Sequence, residues 1–149
     1  MKKVGIEKVV LLVMAVVLLI NVGWLGIREL KYRKYIRDLP RFGGPASYGM
    51  LAEDGYNYGV KKPDYLSLTG NLSVSSMEKN EALIIWPKLL GGYEYGVILK
   101  RGNENYQIYV DENGEAVDRE DILIVKITED QRGKIKNLLY KADKMWNLK

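Results

Sequence analysis

The chain has 149 residues, a formal net charge of +4, no cysteine and no histidine. Disulfides, thiolate nucleophiles, zinc–thiolate sites, imidazole acid–base chemistry and His-ligated metals are excluded. Residues 1–37 hold 8 Lys/Arg against 2 Asp/Glu and carry +6, whereas residues 38–149 hold 15 against 17 and carry −2, so the later part lacks the positive field that a nucleic-acid partner requires.

Residues 1–8 are a short basic head with Lys2, Lys3 and Lys8. Residues 9–27 carry no charge, and a helix of that length is about as long as the hydrocarbon core of a bilayer is thick. The run exceeds the apolar region of a signal peptide, and its exit through Asn21, Val22, Gly23, Trp24, Leu25 and Gly26 lacks a good peptidase site. It therefore reads as an uncleaved transmembrane anchor. A buried core helix is a poor alternative, because the run is apolar on all sides and the remaining chain is too small to wrap it. Asn21 is its one strongly polar residue, suited either to a bond with a neighbouring helix or to the interface.

Residues 28–64 read as a basic juxtamembrane helix followed by a Gly/Tyr-rich linker or hairpin. Trp24, Arg28, Lys31, Arg33 and Lys34 form the expected membrane-interface set, with cations near lipid head groups. Pro40 and the Gly43, Gly44, Pro45 run stop the helix. Orientation is contested by two rules. The cations after the span favour a cytoplasmic domain, whereas the long tail and the very short head favour export. The reading adopted is an extracytoplasmic domain.

Residues 65–149 read as one α+β domain. Leu66, Leu68, Leu72 and Val74 alternate with polar residues, with Gly70 at a possible bulge. The apolar stretch 82–86 is a central strand ending at Pro87. Tyr93, Tyr95, Val97 and Leu99 alternate, as do Tyr106, Ile108 and Val110. The expectation is an antiparallel meander of about four to five strands. Residues 122–127 fit a last strand or the first turns of a helix, and the strand is the reading adopted. Thr128 and Gln131 then fit a capping box opening a C-terminal amphipathic helix, which carries Ile135, Leu138, Leu139, Ala142 and Met145 and packs on the sheet.

The acidic set Asp111, Glu112, Glu115, Asp118, Glu120 and Asp121 fails the calcium-loop spacing, with Ala116 at the sixth position and Ile122 at the twelfth. It reads as a solvated turn. Carboxylate pairs for glycoside cleavage carry no signal among so many acids, and Glu81 and Glu94, which adjoin apolar strands where burial would raise a pKa, read as strand-end acids on the solvent face. Ser73, Ser75 or Ser76 with Lys79 matches no nucleophile turn. The most suggestive feature is tyrosine, 11 residues against 1 phenylalanine. Tyrosine serves wet glycan or protein contacts, and it equally serves as cross-strand pairing on an exposed face. Trp86, Tyr93 and Tyr95 are the candidate ligand-binding residues.

Within residues 105–117, Tyr106, Gln107, Ile108, Tyr109, Val110 and Asp111 followed by Asn113 and Gly114 resemble the last hairpin of PepSY-type domains. Those are small modules of secreted and membrane-anchored bacterial proteins, some of which inhibit proteases. The resemblance implies an envelope location. In that family a helix precedes the strands, and here the clear helix follows them.

The expected function is a non-catalytic, single-pass interaction module at the membrane surface. Its partners are the lipid bilayer and another membrane or envelope protein, with no nucleic acid, metal or cofactor. The alternatives are a glycan or small-ligand binder using a Tyr/Trp sheet face, or a carboxylate-based hydrolase.

Overall fold

A computed structural model describes residues 5–148; Lys2 and Lys3 of the basic head lie outside the described residues. Helix α1 (Ile6–Gly26) runs without a break into a π-helical turn (Ile27–Lys31) and then α2 (Tyr32–Ile36). The continuous helix Ile6–Ile36 is long and apolar enough to cross a membrane, its most apolar 18 residues having a mean hydropathy of 2.6 and none of them being buried in the protein.

Six strands follow, β1 (Ser47–Leu51), β2 (Asn57–Lys61), β3 (Asn71–Ser76), β4 (Glu81–Pro87), β5 (Tyr93–Arg101) and β6 (Glu104–Val110), then α3 (Ile122–Asp130) and α4 (Arg132–Trp146). The strands form one antiparallel sheet in sequence order. The α+β architecture is as read from the sequence, with a longer meander. The additional strands are β1 and β2, where the linker-or-hairpin segment proves to be a hairpin whose register pairs Tyr48 with Val60 and Met50 with Tyr58. Gly55 sits at its turn with φ of 79°.

Four local readings are corrected. The strand expected from Tyr65 begins only at Asn71, and residues before it form a loop. Gly70 is not at a bulge: a Cβ there would meet the Lys61 carbonyl oxygen at 2.0 Å, so only glycine lets the loop close. Residues 122–127 are helix, not strand. Asp121 caps that helix, its carboxylate accepting from the Leu123 and Ile124 amides at 2.9 and 3.2 Å. Thr128 lies inside the helix, and its hydroxyl donates to the Ile124 carbonyl. The β-branched run Ile122, Ile124, Val125 and Ile127 suggests a strand by propensity, but a capped start and a buried Ile127 outweigh it.

One face of the sheet is covered. Val60, Leu72, Val74, Leu83, Ile85, Val97, Leu99, Ile108 and Val110 point from it into the core. Opposing them are Ile127 from α3, Ile135, Leu138, Ala142 and Trp146 from α4, and Tyr32 and Tyr35 from α2, with Leu39 just after it. Full burial of an aliphatic side chain contributes about 1.5–3 kcal/mol, so this face carries most of the apolar stabilisation. The basic helix that follows the apolar run is therefore part of the domain: Tyr32 is 0% exposed.

Polar bonds tie that helix in. The Trp146 indole N–H donates to the Tyr35 carbonyl at 3.1 Å. Glu29 pairs with the buried Lys62 at 2.6 Å. Lys31 Nζ donates to the Pro87 and Lys88 carbonyls at 2.9 and 2.7 Å. Glu29 and Lys31 both lie on the π-helical turn.

Candidate functional site

A broad open hollow of about 1460 Å³ lies between one end of β5 and β6 and the helix α4. Tyr93, Tyr95, Glu112, Lys136, Tyr140 and Asp143 are among its lining residues. Register explains the tyrosines. Tyr95 pairs with Ile85 and Tyr93 with Pro87, so both share the helix-covered face, at the end where the cover thins. The Tyr93 and Tyr35 hydroxyls bond at 3.1 Å, which fixes the Tyr93 ring from beneath. Burial, then the neighbouring Tyr93, Glu112 and Asp143, push the Tyr95 phenol above its usual value. It stays a neutral donor beside carboxylate acceptors. Lys88 and Arg132 are paired with Glu94 and Glu115 at 3.3 and 3.4 Å. The hollow thus offers phenol donors, carboxylate acceptors and ring surfaces, a set suited to a hydroxyl-rich or cationic group.

The three candidate ligand-binding residues do not share one surface. Trp86 pairs with Glu94 and lies on the opposite, uncovered face. There its ring rests over Gly96, where a Cβ would approach it to 3.0 Å. It also packs against Tyr109 with ring centroids 5.9 Å apart. The residue parity along β4 and β5 carried this split, but the pairing register that reveals it depends on the length of the β4–β5 turn.

The interface set divides in the same way. Arg33 and Lys34 point outward and are exposed, whereas Trp24 is buried and its indole N–H donates to the Ser67 carbonyl at 2.9 Å. Arg28 lies over the Trp24 ring at 5.3 Å, and Lys31 is held by the β4 end. Asn21 finds its partner in its own chain, its side-chain oxygen accepting from the Tyr65 hydroxyl at 2.7 Å.

Sequence reasoning gave no role to a second cluster at the far end of the sheet. Glu81 is 5% exposed. One of its carboxylate oxygens accepts from the Tyr56 hydroxyl at 2.6 Å, and the other has no partner among the described residues. Lys79 and Asn137 donate to the same hydroxyl at 3.1 and 3.2 Å. Lys141 of α4 stacks over the Tyr56 ring and pairs with Asp54 at 2.6 Å. This joins the β1–β2 turn, β4 and α4. The acidic turn is likewise local structure: Asp111 accepts from the Asn113 and Glu115 amides at 2.9 Å. Gly114 has φ of 79°, and a Cβ there would strike Ile135 at 2.8 Å.

Comparison with protein-family models, curated proteins and solved structures finds no match to this chain.

Proposed function

We propose that this chain is a single-pass, non-catalytic interaction module, held in fixed orientation at a membrane surface with its domain on the extracytoplasmic side. The observation that carries the proposal is the continuous helix Ile6–Ile36, whose apolar part is of span length and whose last turns are core of the domain. A flexible tether would let the domain sample many orientations. A helix that enters the core, with Tyr32 and Tyr35 buried and Lys31 and Glu29 bonded to two loops, gives the hollow a set height and heading. The absence of His and Cys from the sequence supports a binding role over a catalytic one. The partner on this reading is another membrane or envelope protein that meets the hollow. Site-specific photo-crosslinking in intact cells tests it, with the reactive group at Tyr140 on the hollow's rim and at Met77 on the distal end. A discrete adduct from Tyr140 and none from Met77 is expected; no adduct from Tyr140 contradicts the reading. Protease treatment of intact cells tests orientation, since an extracytoplasmic domain is cut without lysis.

A second reading is favoured by the Tyr93, Tyr95 and carboxylate lining: a glycan or other hydroxyl-rich ligand seated in the hollow. Tyr95→Ala then reduces retention on cell-wall glycan, and Trp86→Ala, on the opposite face, does not. Equal loss from both variants would remove the hollow as the site.

A further inference from the structure

The loops joining β2 to β3 and β4 to β5 leave the same end of the sheet, because the strands alternate in direction. Both carry exposed apolar side chains: Tyr65, Leu66 and Leu68 on the first, Leu89 and Leu90 on the second, Leu90 being 98% exposed. The first loop is fastened alongside the apolar helix. The Tyr65 hydroxyl donates to Asn21, the Ser67 carbonyl accepts from Trp24, and the Trp24 and Tyr65 rings meet edge to face at 5.1 Å. Asn21 lies six positions before Ile27, about 9 Å along the helix axis, so this loop flanks the last turns of the uncharged run. The second loop is held to the helix at its base by Lys31. Leu66 has φ of 58°, a left-handed conformation that bulky residues rarely adopt. The loop holds it there with its side chain in the open. Lys61 and Lys88 flank the two loops, each also paired with a carboxylate, Asp64 or Glu94.

We propose that these two loops form an apolar rim that enters the lipid interface beside the anchor, so that the domain is docked on the bilayer as well as attached to it. This rests on reading residues 9–27 as a membrane span. The occupant is lipid and not a protein because the first loop is fastened to Asn21 and Trp24 at the end of the apolar run and the second to Lys31 just beyond it, at the depth where that helix leaves the hydrocarbon. Flanking cations suit anionic head groups there. The rim limits tilting of the helix and domain, as one body, against the bilayer and sets which side of the hollow faces away from the membrane.

The native chain has no cysteine, so single-cysteine variants of the full chain take one environment-sensitive fluorophore each. The positions are Leu66→Cys and Leu90→Cys on the rim, Val16→Cys in the middle of the run, and Met77→Cys at the far end of the sheet. Each labelled protein is reconstituted into phosphatidylcholine–phosphatidylglycerol vesicles without nitroxide lipid, with a nitroxide on the acyl chain near the head group to read the rim, or with a nitroxide near the end of the acyl chain to read Val16. The expected result is blue-shifted emission at Leu66 and Leu90 that is lost with the nitroxide lipid, and emission at Met77 that is unaffected by it. Quenching at Val16 without quenching at Leu66 and Leu90 overturns the rim while leaving the span intact. No quenching at Val16 overturns the span itself. A blue shift at Leu90 that the nitroxide lipid does not quench means protein packing at that loop and also overturns the proposal.

Discussion

Tyrosine does here what phenylalanine cannot. Tyr32, Tyr56 and Tyr58 are buried rings whose hydroxyls reach the Gly70 amide, Glu81 and Asp54. Each fills core volume and ties a loop or a carboxylate to it. Tyr56→Phe keeps the volume and leaves the buried Glu81 without its one protein donor. The expected cost is about 1–3 kcal/mol, measured by urea unfolding in detergent. The same substitution in a Glu81→Leu background is expected to cost less, because no carboxylate is left unpaired. Asp54 makes a pH prediction at the same scale. The hydrogen bond from Lys141 holds its carboxyl below the usual value of 3.8, against an opposing effect of burial. A depressed folded-state value means that the stabilisation is present above about pH 3.8 and is lost as pH falls through the folded-state value. Asp54→Asn is therefore expected to lower the melting temperature at neutral pH and to match the wild type at low pH. The pair is partly exposed, so its contribution is of order 0–1 kcal/mol. The Tyr58 phenol beside it, pushed up to about 12 by burial and then by the Asp54 charge, stays neutral through that range.

At the scale of elements, the basic juxtamembrane segment has two faces with different tasks. Lys31 points inward to the Pro87 and Lys88 carbonyls, and Lys34 points outward beside the Tyr35 ring. Lys31→Met is expected to cost about 1.5–3 kcal/mol of domain stability, as for hydrogen bonds from charged groups. Lys34→Met is expected to change stability by less than about 0.5 kcal/mol and to weaken binding to anionic vesicles instead. Denaturation and vesicle flotation of the two variants separate these effects. Composition shows the cations, but which of them turn inward depends on contacts with loops more than fifty residues away, and no local pattern encodes those. The strands β5 and β6 were legible from alternation and β4 from its continuous apolar run bounded by turn residues, all of them local signals. The β1–β2 hairpin was obscured by its glycines: Gly49 and Gly59 face each other across the pair, on the face turned away from the core, and the Gly/Tyr-rich composition hides the core-facing alternation of Tyr48, Tyr58 and Val60. Residues 122–127 misled for the opposite reason, since β-branched residues suit a strand and only the Asp121 cap and the packing of Ile127 decide for helix. The tyrosine signal pointed to Tyr93 and Tyr95 at the hollow, and register, which only the folded sheet reveals, sent Trp86 to the other face.

For the whole molecule, we infer that the apolar helix and the domain are one rigid body. The helix that carries the span-length apolar run ends as core, clamped by the sheet on one side and by Trp146 of α4 on another. Hydropathy alone describes the same chain as an anchor, a basic spacer and a domain in series. The two descriptions differ in what the juxtamembrane tyrosines do. The most direct measurement is equilibrium urea unfolding of the full chain in detergent, comparing wild type with Tyr32→Ala. A core residue predicts a loss of about 3–5 kcal/mol, a large part of the stability of a domain of this size. A change within about 0.5 kcal/mol, as expected for a side chain on a free spacer, would contradict the claim and return the domain to a flexible tether.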